Sequence, residues 1–175
     1  LHALLLADVA EFPNPPVPPG AVAAIPRYTA TPNKNAAWWK LAATSPDQLR
    51  QRVAFALSEI FVIGQMTGIT NGPQAQAKYY DLLVNGAFVN FRTLLEQVPL
   101  NPMMGMWPSH LANQKADPVK GTSPDENYAR EVMQLFSIGL VQLQPDGTLL
   151  LDETGQPIPT YDLTTITETA KVLTG

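Results

Sequence analysis

Two stretches of the chain carry apolar residues at the 3.6-residue period of an amphipathic helix. Behind Ser45-Pro46-Asp47-Gln48 the apolar positions that follow this period are Leu49, Val53, Ala56, Leu57, Ile60 and Phe61. Behind Ser123-Pro124-Asp125-Glu126 they are Tyr128, Val132, Leu135 and Phe136. Such spacing places the apolar side chains on one side of a helix. The pattern therefore predicts two helices, with Gly64 and Gly139 as their candidate ends.

Both of these helices have the same sequence signals at their start. Each begins with a serine, a proline and an acidic residue, an order typical of a helix N-terminus. Gln48 and Glu126 stand three residues after Ser45 and Ser123, where a capping box has its Glu or Gln. We therefore predict Ser45 and Ser123 as N-caps. Beyond this shared start, the sequence shows no internal repeat.

Five further stretches have weaker helical patterns, at residues 35–43, 74–85, 88–98, 102–112 and 162–174. Together with the two stronger helices they predict a mainly α fold, built as an irregular multi-helix bundle. Pro108 interrupts the fourth of these stretches and predicts a kink or a restart of the helix. The three tryptophans are predicted anchors of a core or an interface: Trp38, Trp39 and Trp107.

One segment, residues 140–161, departs from the helical pattern. Short or alternating apolar runs surround two turn signals, Pro145-Asp146-Gly147 and Asp152-Glu153-Thr154-Gly155. Alternation and turn residues of this kind are typical of short antiparallel strands. The segment is predicted to be a small β-hairpin or three-stranded meander inserted between two helices.

The first part of the chain is rich in proline. Residues 12–20 read FPNPPVPPG, and a run of this kind is extended because proline fixes φ. We predict that residues 1–35 comprise the end of a helix followed by this extended connector, and that residues 36–175 form the helical domain. Helical patterns reach both ends of the sequence, so we expect the domain to be a fragment of a longer one.

Composition excludes several classes of function. Charged residues make up 15% of the chain, against about a quarter in typical soluble domains. This low charge favours a surface that a protein partner covers. The net charge is −4 and the 11 Lys and Arg are scattered, so a nucleic-acid partner is not expected. There is no cysteine, which excludes disulfides and thiolate sites, and no run of 18 apolar residues that would span a membrane.

The candidate chemistry lies between residues 113 and 139. On the second predicted helix, Asn127, Arg130 and Glu131 share a polar face, and Asn113 and Lys115 precede it. Amide and carboxylate oxygens are ligands for Ca²⁺ or Mg²⁺, and an Arg guanidinium suits a carboxylate or a phosphate. These five residues are therefore the candidate site for a divalent cation or an anionic ligand; no other cofactor is evident. The favoured interpretation is structural: a polar network that joins helices, with Arg130 paired to an acid from elsewhere.

The helix that carries these residues also resembles a known family. The run Pro124-Asp125-Glu126-Asn127-Tyr128-Ala129-Arg130-Glu131, continued by VMQLFSIG, is similar to a signature of the bacterial domain of unknown function 1800 family. Two further segments resemble that family, NFRTLL at residues 90–95 and AKVLTG at residues 170–175. The resemblance implies export to the periplasm or the outside of the cell. It also implies a neighbouring protein with an alkaline-phosphatase-like fold as a partner. The family supplies no established activity.

Two hypotheses of function follow from these observations. The leading one is an uncharacterised helical module of an exported bacterial protein that binds a protein partner or has a structural role. The alternative is a metal- or anion-dependent enzyme or binding domain centred on Asn127, Arg130 and Glu131. Under the structural interpretation, Arg130→Ala is expected to cost several kcal/mol, as breaking a buried ion pair does (about 3–5 kcal/mol).

Overall fold

The computed structural model describes Leu4 and residues 31–64 and 72–174. Of the segment predicted as a helix end and a proline-rich connector, residues 1–35, only Leu4 and residues 31–35 are described, and residues 31–35 belong to the first helix. Within them the chain is mainly α, as predicted, with seven helices: α1 Thr31–Thr44, α2 Gln48–Ile60, α3 Gly72–Gly86, α4 Phe91–Gln97, α5 Pro102–Met106, α6 Asn127–Gln134 and α7 Leu163–Val172.

The described residues form two compact units, which fall within Leu1–Met103 and Met104–Gly175. In unit 1, α2 packs against α3, and α1 packs against both. In unit 2, α6 packs against α7. The sequence pattern did not indicate a division at this point, because α5 spans it with a continuous Met-rich stretch. The predicted boundary between residues 35 and 36 stays a prediction.

The centre of unit 1 is α3, the helix with the most buried positions. Its side chains Leu83 and Val84 are fully buried, and Ala77 packs with Ala37 and Leu41 of α1. At the end of α3, a Cβ added at Gly86 would lie 2.6 Å from Leu94 Cδ1. A larger residue at position 86 would therefore require the Leu94 side chain to shift.

The start of α2 differs from the predicted capping box. The helix begins at Gln48, and its N-cap is Asp47. Gln48 Nε2 donates to the carbonyl oxygen of Ser45 at 2.9 Å, whereas a capping box requires the side chain to accept from the Ser45 N–H. Ser45 Oγ accepts from Asp47 N at 3.4 Å. The helix was predicted correctly, but Ser45 as its N-cap was wrong.

Helix α6 begins at Asn127, later than the Ser-Pro-Asp signal predicted. The cause is a contact distant in sequence. Asn113 Nδ2 donates to the carbonyl oxygen of Asp125 at 3.1 Å, and Asp125 N donates to Asn113 Oδ1 at 2.7 Å. These two bonds hold the Asp125 backbone outside the helix, so the prediction of Ser123 as N-cap was wrong. Asp125 instead accepts from Asn127 N at 2.8 Å with its side chain.

Helix α7 begins as the sequence predicted. Asp162 is its N-cap, and Asp162 Oδ1 accepts from Thr165 N at 2.7 Å. Four buried residues join α7 to α6: Ala129, Met133, Ile166 and Ala170. A polar contact accompanies them, because Thr167 Oγ1 donates to Glu126 Oε1 at 3.1 Å.

The Asp162 cap should make the stability of unit 2 depend on pH. The backbone N–H of Thr165 and then its hydroxyl hold the pKa of Asp162 below the ordinary 3.8. A carboxyl whose pKa is lower in the folded state stabilises the fold above its unfolded pKa, and this contribution is lost as pH falls through the folded pKa. We expect Asp162→Ala to melt at a lower temperature than the wild type at pH 7. The difference between the two melting temperatures should become smaller below pH 3.8. Asp162→Asn is the control, because it accepts the same bonds without titrating.

Residues 141–159 form a small closed ring of backbone contacts, called here the bridge ring. Three isolated antiparallel bridges pair Val141 with Pro159, Leu143 with Leu149, and Leu151 with Pro157. Between them, Gln142 N donates to Ile158 O, Leu150 N to Gln142 O, and Ile158 N to Leu150 O, at 2.9–3.0 Å. The bridges are single pairs and extend into no strand, so the predicted hairpin or meander is not confirmed.

The bridge ring contains an eight-residue repeat that the sequence analysis did not find. The three central residues, Gln142, Leu150 and Ile158, are eight apart and make equivalent bonds. Gly147 and Gly155 also stand eight apart, with φ of 84° and 79°, a conformation that glycine adopts without strain. The repeat is one of backbone hydrogen bonds, and the side chains around the glycines differ. The sequence carried two signals of the repeat, the spacing of the two glycines and the apolar residues that recur eight apart at the bridged positions.

Candidate functional site

The five predicted site residues have different contacts in the structure. Asn113 is the most buried of them. Its side chain is 7% exposed. The amide nitrogen and the amide oxygen of that side chain each form a hydrogen bond with the backbone of Asp125. Asn127 also contacts Asp125, through its backbone N–H. Asn113, Asp125 and Asn127 therefore meet at one point, where they fix the entry of the chain into α6.

Arg130 pairs with Glu126, the N-cap residue of its own helix. Its guanidinium donates to Glu126 Oε2 at 2.7 Å, one helical turn away, and both side chains are partly exposed. The expected partner from elsewhere in the chain was wrong. Exposed pairs of this spacing contribute about 0.3–0.5 kcal/mol. The pair still has a use in packing, because Glu126 reaches Thr167 of α7 with its other oxygen.

The remaining candidates, Lys115 and Glu131, are not brought to this point. Lys115 is exposed and Glu131 is half-buried, and neither side chain has a hydrogen bond or an ion pair to another described residue. Among residues 31–64 and 72–174, no group of three or more His, Cys, Asp or Glu side chains could hold a metal ion. A cation or anion site at the five residues stays a prediction.

The loop before α6 contains contacts that the sequence did not indicate. Ser109 Oγ donates to Asp125 Oδ2 at 2.8 Å, and the ring of His110 lies 4.1 Å from that of Tyr128. Ser109 and Ala112 both have φ of 61°, which costs a non-glycine residue about 1–3 kcal/mol. This local strain is offset by the bonds that the loop makes to Asp125.

Tyr128 is buried in the same region. Its side chain is 2% exposed, and its hydroxyl has no hydrogen-bond partner among the described residues. Burial raises its pKa well above the usual value. A buried hydroxyl without a partner is a hydrogen-bond donor that no contact among the described residues satisfies.

The bridge ring presents an apolar face. Paired residues of a bridge, and residues two apart in an extended segment, have their side chains on the same side. All six bridged positions therefore share one face, and all six are apolar: Val141, Leu143, Leu149, Leu151, Pro157 and Pro159. The three leucines are 48–57% exposed. An exposed apolar group of this kind is typical of an interaction surface.

The surroundings of this face are acidic. Residues 131–170 contain six acidic residues and no Lys or Arg. Two of the acids, Asp146 and Asp152, lie in the turns of the ring. Backbone N–H donors, from Thr148 and from Gln156 respectively, are the main groups that hold the pKa of each carboxyl below its usual value. Both turns therefore keep their negative charge at neutral and mildly acidic pH.

The fold and these contacts define a mainly α-helical module with two compact units and a closed ring of loops in the second. The chain belongs to the family described as "Protein of unknown function (DUF1800)", whose model matches residues 10–175. No curated protein and no solved structure matches the chain significantly. Among the described helices, none has both the length and the apolar character to cross a membrane.

Proposed function

We propose that this module binds a protein partner through the apolar face of the bridge ring. The observation that carries the proposal is the coincidence of six apolar side chains at the bridged positions, three of them leucines that are about half exposed. Specific interfaces have an apolar centre with a polar rim, and this face has both. Glycines in the two turns and the closed set of backbone bonds fix its shape before a partner arrives. Such preorganisation lowers the entropic cost of binding.

The acidic surroundings indicate the chemistry of the partner. Asp146, Asp152 and Glu153 place negative charge in the turns that flank the apolar side chains. The complementary surface has apolar residues at its centre and Lys or Arg at its rim, since opposite potentials favour encounter and register. The first candidate is the protein with an alkaline-phosphatase-like fold that the family resemblance implies. An extracytoplasmic location in a bacterium is part of the same proposal.

The alternative function, a metal- or anion-dependent enzyme or binding domain centred on Asn127, Arg130 and Glu131, has no observation in its favour. Arg130 is occupied by Glu126, and Asn127 uses its backbone rather than its side chain. Glu131 forms no hydrogen bond or ion pair with either side chain. Partner binding at the bridge ring is therefore the function that the geometry supports best.

Site-specific photocrosslinking tests the proposal in the cells from which the protein derives. A benzoylphenylalanine in place of Leu149 should give, on irradiation, one adduct of higher mass that contains a second protein. We expect the adduct to be lost in Leu143→Glu, which places a charge on the apolar face. The yield of the adduct should fall as the salt concentration rises, because salt screens exposed charges, with a screening length of about 10 Å at 0.1 M.

Gln144→Glu provides the matched control for this experiment. It adds the same charge one residue further along, where successive side chains of an extended segment alternate and the residue does not share the apolar face. The adduct should persist in this variant. Crosslinks confined to the protein's own chain would contradict the proposal and assign the face to an internal contact. An adduct that survives Leu143→Glu would contradict it too, because binding would then not depend on the apolar face.

A further inference from the structure

A cavity of about 320 Å³ lies within unit 1, among α1, α2 and α3. Six aromatic side chains line it: Trp38, Trp39, Phe55, Phe61, Tyr79 and Tyr80. Its volume is at the lower end of the range for small-molecule sites, about 300–1,000 Å³, and such sites are lined mainly by apolar and aromatic groups with a few polar ones. The cavity belongs to a different unit from the bridge ring and does not depend on it.

The aromatic rings form a surface that packing within the described residues leaves partly open. Trp38 stands in the middle, with its ring centroid 4.9 Å from that of Trp39 and 5.6 Å from that of Phe55. Trp39 is 68% exposed and Phe55 is 44% exposed. Burial of large aromatic rings is favourable, and such rings stack well with flat apolar groups. The cavity therefore suits a ligand with a planar ring.

A lysine on the cavity wall adds a charge to this surface. Lys34 is half-buried, and its Nζ donates to Gln76 Oε1 at 2.9 Å. An ammonium group has three donors, and this is its single hydrogen bond in the part of the chain that the structure describes. No described carboxylate lies within 4 Å of it. Burial lowers the pKa of Lys34, as expected for a cation that has lost water without gaining an anion.

We propose that this cavity binds a small ligand that has a flat ring body and one carboxylate group. The ring contacts the exposed faces of Trp39 and Phe55, and the carboxylate accepts from Lys34 Nζ. Gln76, which is 6% exposed, holds the lysine in place through its side-chain oxygen. An anion at this position compensates the buried charge, and the ring covers aromatic surface that is otherwise exposed. The two features of the ligand thus correspond to two independent features of the wall.

Two matched probes test the proposal, 2-naphthoate and its neutral analogue 2-naphthamide. Isothermal titration calorimetry with the 175-residue chain should give tighter binding of the acid by about tenfold or more, roughly the effect of one charge-assisted hydrogen bond. Lys34→Gln should bring the two affinities to parity. Lys78→Gln, the same change at an exposed position of α3, should preserve the difference.

A second variant tests the ring contact separately from the charge. Trp39→Ala should weaken both probes by a similar factor, and since Trp39 is largely exposed, the fold should tolerate it. Equal affinity of the wild type for acid and amide would overturn the anionic part of the proposal, as would a difference that survives Lys34→Gln. Absence of binding by both probes at millimolar concentration would overturn the site itself. None of these results bears on the bridge ring.

Discussion

Asn113→Ala should lower the free energy of unfolding by about 2–3 kcal/mol. The substitution removes two hydrogen bonds to the backbone of Asp125 and leaves its N–H and carbonyl without those partners. Each bond contributes about 0.5–1.5 kcal/mol, and a polar group left without a partner costs about 1–3 kcal/mol when buried. Because Asp125 itself is exposed, water replaces part of this loss, and the total lies toward the lower end. Urea unfolding, followed by circular dichroism, measures the change.

Two residues on α6 provide controls for Asn113. Asn127→Ala removes the same side chain from an exposed position where only the backbone is bonded, so we expect a change within about 0.5 kcal/mol. Arg130→Ala removes one partner of an exposed ion pair and should cost less than about 1 kcal/mol. The sequence-based expectation for Arg130 was several kcal/mol. Equal effects at Asn113 and Arg130 would contradict the assignment of Asn113 as the residue that fixes the start of α6.

The sequence predicted those parts of the fold that depend on local information. The apolar period identified α2 and α6, and the Asp162 cap of α7 is formed with a residue three positions away. Contacts distant in sequence decided the rest. The start of α6 is displaced because Asn113, twelve residues earlier, binds Asp125. No local pattern contains this information, since Ser123-Pro124-Asp125 has the same signals whether or not its backbone is occupied.

The candidate site shows the same division between local and distant information. The polar residues of α6 were identified from their spacing, but spacing does not say what each side chain contacts. Arg130 meets Glu126 because residues four apart on a helix are neighbours, a possibility that the helical pattern already contained. The bridge ring was harder to predict from the sequence, because backbone hydrogen bonds define it and its eight-residue repeat has few identical side chains. Its turns were predicted from Pro, Asp and Gly; its closure was not.

The sequence patterns predicted neither the apolar face nor the cavity, and the physical reason is the same for both. Both depend on which apolar side chains remain exposed after folding, and composition gives only their number. Trp38 packs beside the core cluster of α1 and α3, whereas its neighbour Trp39 is largely exposed. The two have the same local sequence signal. Both line the cavity, but Trp38 also packs against the core, and only the direction that each side chain takes in the fold decides which of them stays exposed.

Tyr79→Phe should destabilise the protein and Tyr128→Phe should not, although both remove one hydroxyl from a residue that is 2% exposed. Tyr79 donates to the carbonyl oxygen of Phe61 at 2.8 Å. Its loss leaves that oxygen without this donor in a buried position, and we expect a cost of about 1–2 kcal/mol. The Tyr128 hydroxyl has no partner among the described residues. Its removal ends the cost of burying it, so the free energy of unfolding should be unchanged or rise by up to about 1 kcal/mol.

The pair of variants, compared by urea unfolding at one pH, also tests what surrounds Tyr128. Destabilisation by Tyr128→Phe as large as that by Tyr79→Phe would mean that the hydroxyl has a bonded partner in solution, such as an ordered water. The polar contacts before α6 would then extend inward from Asp125 and Asn113 to Tyr128, and the candidate site would gain a buried donor. A neutral or stabilising result leaves those contacts as a device for positioning α6, because a hydroxyl that the fold is better without contributes nothing to its packing.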